Sequence, residues 1–187
     1  MGKLYFRYGV MGSSKTANAL MTRFNYLEKN KTVLLLKPAT DTRDGITKIK
    51  SRIGLEADAV VVNRDTNIFD IWNNENIIIV DECQFLSKEQ ILELRIISSK
   101  YSVNVFCYGL RSDFRCQLFE GSEALLAVAD EIQEIKSICR CGKKAIVNAR
   151  FLNGKILTEG PQIQIGGNDL YEPLCYNCWL TEVEKSR

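Results

Sequence analysis

Over roughly the first two thirds of the chain, apolar residues fall in short continuous runs rather than alternating with polar ones. Lys3 to Tyr8, Thr32 to Leu36, Ala59 to Val62, Ile77 to Val80 and Val103 to Tyr108 read as strands. Strands without polar alternation are buried on both faces, as in a parallel sheet covered by helices. Between them lie segments of helical period. Thr16 to Glu28 carries Ala19, Leu20, Phe24 and Leu27 at helical spacing. Thr66 to Asn74 predicts a further helix, and Ser87 with Gln90 forms a capping box that opens a helix to about Lys100. Asp41 to Ile53 is polar, holds Gly45 and four basic residues, and reads as a mobile loop. This alternation predicts an α/β fold, a parallel sheet with helices on both faces.

The pattern breaks near Ser137. Two cysteine pairs then flank hairpin-like segments at Ala145 to Phe151 and Gln162 to Ile165. The expected division is 1–137 for a P-loop domain and 138–187 for a small zinc-ribbon or lasso domain. With 187 residues, 45% apolar and 26% charged, the composition is that of a soluble globular protein. A net charge of +2 gives no support to a nucleic-acid partner. The longest apolar runs are too short to cross a bilayer. The run from Met1 straight into a strand shows no signal peptide, so a cytoplasmic location without membrane association is expected. There is no histidine, so acid–base chemistry falls to Asp, Glu, Lys, Tyr or Cys, and a metal site to thiolates or carboxylates.

Gly9-Val10-Met11-Gly12-Ser13-Ser14-Lys15-Thr16 fits the P-loop pattern except at Ser14, where glycine is usual. Such a loop turns backbone N–H groups toward phosphate at a helix N-terminus. Lys15 is then expected on the β- and γ-phosphates of ATP and Thr16 on Mg²⁺. A left-handed Ser14 would be strained. Asp81-Glu82 follows the strand Ile77 to Val80, at the sheet edge where α/β proteins bind ligands. Asp81 is expected on the Mg²⁺ side and Glu82 as the base that takes a proton from an attacking hydroxyl. The other reading of the pair is a solvated helix cap. Cys139, Cys141, Cys175 and Cys178 suit tetrahedral, structural Zn²⁺, since four thiolates leave no open position. Cys83, Cys107 and Cys116 sit beside apolar residues and read as buried hydrophobes. Two features stay open on spacing alone. Arg43 either neutralises a transferred phosphoryl group or is a solvated loop arginine. Leu110, Phe114 and Phe119 either wall a pocket for a planar base or belong to the core.

Taken together, these stretches resemble the type II thymidine kinase family. The resembling residues are Gly9 to Thr16, Asp41 to Arg43, Ser51 to Gly54, Asp81 to Phe85, Tyr108 to Arg115, Ile165-Gly166-Gly167-Asn168, Tyr171 and the cysteine pairs. The resemblance implies a P-loop (RecA-like) α/β fold and transfer of the ATP γ-phosphate to the 5′-hydroxyl of thymidine. It places Gly9, Met11, Gly12, Ser13, Ser14, Lys15, Thr16 and Asp81 with ATP and Mg²⁺, and Glu82 and Arg43 with catalysis. It implies Phe85, Leu110, Phe114, Phe119 and Tyr171 around the nucleoside. A lasso from Asn153 to Tyr171, with Gln164, Ile165, Gly166, Gly167 and Asn168, is implied to grip the base largely through its main chain. Asn148 stands where the family often has threonine beside the base. A homotetramer and feedback inhibition by dTTP are likewise implied. The competing readings are a P-loop kinase of another deoxynucleoside and, from a different class, an ATP-driven switch whose zinc ribbon grips nucleic acid.

Overall fold

The computed structural model describes residues 1–41, 45–163 and 170–186. In chain order the elements begin with β1 (Leu4–Tyr8), α1 (Lys15–Leu27), β2 (Val33–Pro38), β3 (Lys48–Lys50), β4 (Glu56–Asp58), β5 (Val60–Val62) and α2 (Ile68–Ile71). They continue with β6 (Ile77–Val80), a 3-10 turn at Cys83–Phe85, α3 (Lys88–Tyr101), β7 (Asn104–Gly109), α4 (Glu120–Val128) and β8 (Glu131–Glu134). The chain ends with β9 (Val147–Leu152), β10 (Lys155–Leu157), β11 (Tyr171–Leu174) and α5 (Tyr176–Lys185).

Six strands form one sheet in the order β5-β2-β6-β7-β1-β8. Every pairing in it is parallel. Successive residues of a strand face opposite sides, and both sides are filled. Leu34, Leu36, Ile78, Val80, Val105 and Cys107 pack with Ile91, Leu94 and Ile97 of α3 and with Leu125 of α4. Their neighbours Leu35, Ile77, Ile79, Phe106 and Tyr108 pack with Ala19 and Leu20 of α1 and with Ile49 of β3. β6 is therefore buried at all four positions, which is why its sequence shows no polar alternation.

Several expectations need correction. Phe24 and Leu27 are exposed, so of the apolar positions read from spacing α1 buries only Ala19 and Leu20. The segment read as a mobile loop contains β3, which pairs with β4 in an antiparallel hairpin. The helix expected over Thr66 to Asn74 is the single turn of α2, capped by Asn67 Oδ1, which accepts from Phe69 N at 2.8 Å. Cys83 and Cys107 are buried, but Cys116 is exposed, at a turn with φ 63°. Two helices, α4 and α5, and the edge strand β8 had not been expected. The first hairpin-like segment is β9, flanked antiparallel by β10 and β11. Of the second, Gln162 and Ile163 lie in irregular backbone, and positions 164–165 fall outside the described residues. No helix among the described residues is long and apolar enough to cross a membrane.

The start of α3 shows how a polar residue earns a place inside. Ser87 Oγ accepts from Gln90 N, and Gln90 Oε1 accepts from Ser87 N at 3.0 Å. The Gln90 amide nitrogen also donates to the carbonyls of Asn63 and Thr66, at 2.7 and 3.0 Å. Ser87→Ala removes one cap and is expected to cost about 1 kcal/mol of unfolding free energy. Gln90→Ala removes the partner of the buried Ser87 N–H and of the Asn63 and Thr66 carbonyls at once and is expected to cost more, about 2–3 kcal/mol. Denaturant unfolding of both variants checks the order.

Candidate active site

The loop from β1 to α1 carries the P-loop sequence, and two of its residues take left-handed backbone. Gly12 has φ +76°, free of strain because it lacks a Cβ. Ser14, the N-cap of α1, has φ 62°, a conformation that costs a non-glycine residue roughly 1–2 kcal/mol. Lys15 follows and is buried, its Nζ donating to Val10 O at 2.8 Å and to Ser13 Oγ at 3.3 Å. Its ammonium therefore lies inside the curl of the loop.

Asp81 and Glu82 leave the end of β6 beside it. Asp81 is 3% exposed, and burial followed by repulsion from Glu82 pushes its carboxyl up to about 7. A hydrogen bond from the Thr16 side chain and the charge of Lys15 oppose that rise. Glu82 takes a left-handed backbone, φ 51°, and its Oε2 accepts from Gln84 Nε2 at 2.6 Å. Gln84 Oε1 in turn accepts from Leu110 N at 2.9 Å. The sequence reading missed Gln84, although a glutamine set between Cys83 and Phe85 in an otherwise apolar run was the available signal. The space for it depends on Gly109, where an added Cβ would fall 2.4 Å from Gln84 Oε1 and 2.7 Å from Cys83 Sγ.

A cavity of about 600 Å³ opens over these groups. Met11, Gly12, Ser14, Lys15, Thr16, Asp81 and Glu82 form its polar end. Phe85, Leu110, Phe114, Phe119, Asn148 and Tyr171 form the other. Phe114 and Phe119 are buried and also line the cavity, and Leu110 lines it too. Phe85 meets Phe119 edge to face, with centroids 5.7 Å apart. Asn148 is committed to protein. Its Oδ1 accepts from Met11 N at 2.7 Å, and its Nδ2 donates to Ser112 O at 3.3 Å. Gly9 and Ser13 belong to the loop without lining the cavity. Arg43, Gln164, Ile165, Gly166, Gly167 and Asn168 lie outside the described residues.

The β3–β4 hairpin contributes what the sequence reading left as loop. Ser51, Arg52, Ile53 and Gly54 line the cavity, and Arg52 Nη1 lies 3.6 Å from where a Cβ on Gly12 would stand. Lys37, fully buried at the end of β2, fixes this hairpin. Its Nζ donates to Gly45 O and Lys48 O and pairs with Asp41 at 3.6 Å.

The four cysteines of the two pairs meet below the small sheet, with all sulfurs within 4.8 Å of one another. Cys141 Sγ stands 3.6 Å from the sulfurs of both Cys139 and Cys175. Tetrahedral zinc at about 2.3 Å from each thiolate separates sulfurs by about 3.8 Å, so the donor set fits that ion. Gly142, φ +82°, makes the tight turn after the first pair, its N–H reaching Cys139 O at 2.8 Å.

Sheet, loop and acidic strand end define a P-loop nucleotide-binding protein with an attached four-cysteine module. The family model described as Thymidine kinase matches residues 2–179. The chain is 44% identical over 180 residues to the thymidine kinase of Enterococcus faecalis, covering 94% of this chain and 93% of that one. It is 47% identical over 180 residues to that of Lactiplantibacillus plantarum, with 94% of each chain covered. It is 44% identical over 182 residues to that of Haemophilus influenzae, again covering 94% of each. The chain belongs to the thymidine kinase family.

The Asp81 carboxyl predicts a pH dependence for the free protein. Its folded value, about 7, lies above the ordinary 3.8. The folded state thus binds this proton more tightly, and the resulting stability is full below about pH 4 and lost as pH rises through about 7. Asp81→Asn removes the effect. The parent's thermal midpoint is expected to fall more steeply than the variant's between pH 5 and 8, as measured by a thermal scan of each without nucleotide.

Proposed function

We propose that the chain is a thymidine kinase, transferring the γ-phosphoryl group of ATP to the 5′-hydroxyl of thymidine. The observation that carries this reading is a single cavity with a P-loop lysine and two carboxylates at one end and an aromatic wall at the other. The names of its relatives support it.

In this reading the backbone of Gly9 to Thr16 cradles the phosphates, and Lys15 leaves Val10 O to meet the charge on the transferred group. Thr16 and Asp81 would hold Mg²⁺, which when bound would supply positive charge against the phosphates. The nucleoside stacks its base among Phe85, Phe114 and Tyr171 and directs its 5′-hydroxyl toward Glu82. The hydroxyl oxygen forms a bond to the γ-phosphorus as the bond to the β-phosphate oxygen breaks and ADP leaves. Glu82 accepts the hydroxyl proton, and Gln84 holds the carboxylate in place by donating to Oε2. Arg52, from the hairpin, adds positive charge over the P-loop, and Arg43 is assigned to neutralising the transferred phosphoryl group. Gln164 to Asn168 complete the grip on the base.

We assign 1–137 as the ATP-binding kinase domain and 138–187 as a zinc-binding domain that contacts the nucleoside, with structural Zn²⁺ on Cys139, Cys141, Cys175 and Cys178 stabilising the second part. The break between the six-stranded and three-stranded sheets supports this division. A homotetramer accords with the apolar faces that α1 and α3 leave exposed, Met21 and Phe24 on one, Leu92 and Ile96 on the other. Inhibition by dTTP accords with a cavity that takes both a base and phosphates. A cytoplasmic location accords with the use of ATP and with four reduced thiols.

The test is an assay with ATP, Mg²⁺ and a panel of nucleosides, read as nucleoside monophosphate formed. Thymidine is expected to be the preferred acceptor, and preference for a different deoxynucleoside would move the specificity. Glu82→Gln keeps the shape and removes the base. It is expected to lower kcat roughly 10²–10⁴-fold with ATP and thymidine affinities little changed. Near-normal turnover in that variant would remove Glu82 from the chemistry.

A further inference from the structure

Arg150, in β9, heads the largest fully buried side chains and is 1% exposed. Among the described residues no carboxylate pairs with it. Its guanidinium is satisfied by neutral groups: Nε donates to Tyr171 Oη at 2.9 Å, Nη1 to Pro161 O at 2.8 Å and Nη2 to Gln162 O at 3.2 Å. Its carbon lies 3.9 Å from the centroid of the Phe114 ring and 5.1 Å from that of Tyr171. Taking a charge out of water without a counter-charge is costly, and such groups are kept where their geometry does something that an apolar residue cannot.

The partners say what that is. Arg150 does not line the cavity, yet Phe114, Gln162 and Tyr171 all do. They come from three separate places: the loop after β7, the segment after β10 and the start of β11. Each is anchored by a different feature of one planar guanidinium: its flat face lies over the Phe114 ring, Nε holds the Tyr171 hydroxyl and Nη2 the Gln162 carbonyl. Neither the point charge of a lysine nor an apolar chain can engage all of them at once. We propose that Arg150 is a positioning residue for the nucleoside: it sets the shape of the aromatic end of the cavity without touching the ligand. This rests on the thymidine kinase reading above.

The experiment is steady-state kinetics of Arg150→Met and Arg150→Lys, with each substrate varied separately. The Met variant fills the volume but frees the two carbonyls and the phenol. Its thymidine KM is expected to rise between about 10- and 100-fold, the scale of a small misplacement of positioning groups. Its ATP KM and its kcat are expected to stay within about threefold, as when binding shared by ground and transition states is lost. The Lys variant is expected to fall between parent and Met, because it keeps a charge and can reach one of the carbonyls. If the Met variant does not fold, the Lys variant decides by the same split between thymidine and ATP. Normal thymidine KM in a folded variant overturns the proposal, and so does a parallel rise in both KM values, which marks a general structural role. A parent enzyme that phosphorylates no thymidine would instead overturn the function reading, so the two failures are told apart.

Discussion

The constraint on which this structure turns is the holding of charge away from water at the C-terminal edge of the central strands. Lys15, Lys37, Asp41, Asp81 and Glu82 are all buried there. Each alone would cost several kcal/mol to desolvate, and the cost is offset only when opposite charges and donors converge. The ends of β1, β2 and β6 must therefore meet at one place, which a parallel sheet provides. Part of the strain in the backbone lies at the same place. Ser14 and Glu82 both sit in the left-handed region, and non-glycine residues persist there only when their surroundings over-determine them.

The second sheet is joined to the first at the phosphate loop itself. Val10 packs into the apolar cluster of Cys139, Ala145, Leu174 and Val183, and the next residue, Met11, gives its N–H to Asn148. Asn148 and Arg150 stand two apart on β9 and so face the same side of the small sheet. One ties that sheet to the P-loop, and the other ties it to the wall of the cavity. Phosphate and nucleoside ends are thus parts of one space to which both sheets contribute.

The sequence carried this architecture unevenly. β6 was legible because four consecutive apolar residues have few other stable placements, and Ser87 with Gln90 because a capping box is local. The cysteine pairs were legible because thiolate spacing is itself the chemistry. β8 was not, since Glu131 to Gln133 are exposed on an edge strand and carry no apolar pattern. β3 and β4 have three residues each, with a single buried side chain, Ile49, between them. α5 buries only Val183. At the site, the positions of Lys15 and Asp81 could be read from motif and strand. The task of Gln84 could not, because its partner Leu110 lies 26 residues away. Asn148 drew notice only through family resemblance, and its contact with Met11 spans 137 residues. Arg150 has the look of any charged strand residue until the rings around it are seen.

The central claim is that the sheet with the P-loop binds ATP and the four-cysteine module shapes the nucleoside end. The most direct measurement is separate titration of ATP and thymidine, by calorimetry, before and after removal of zinc with a chelator. The account predicts that thymidine binding is lost while ATP affinity changes by less than about tenfold, roughly 1.4 kcal/mol. Thymidine binding that survives zinc removal unchanged, or loss of ATP binding alone, would contradict it.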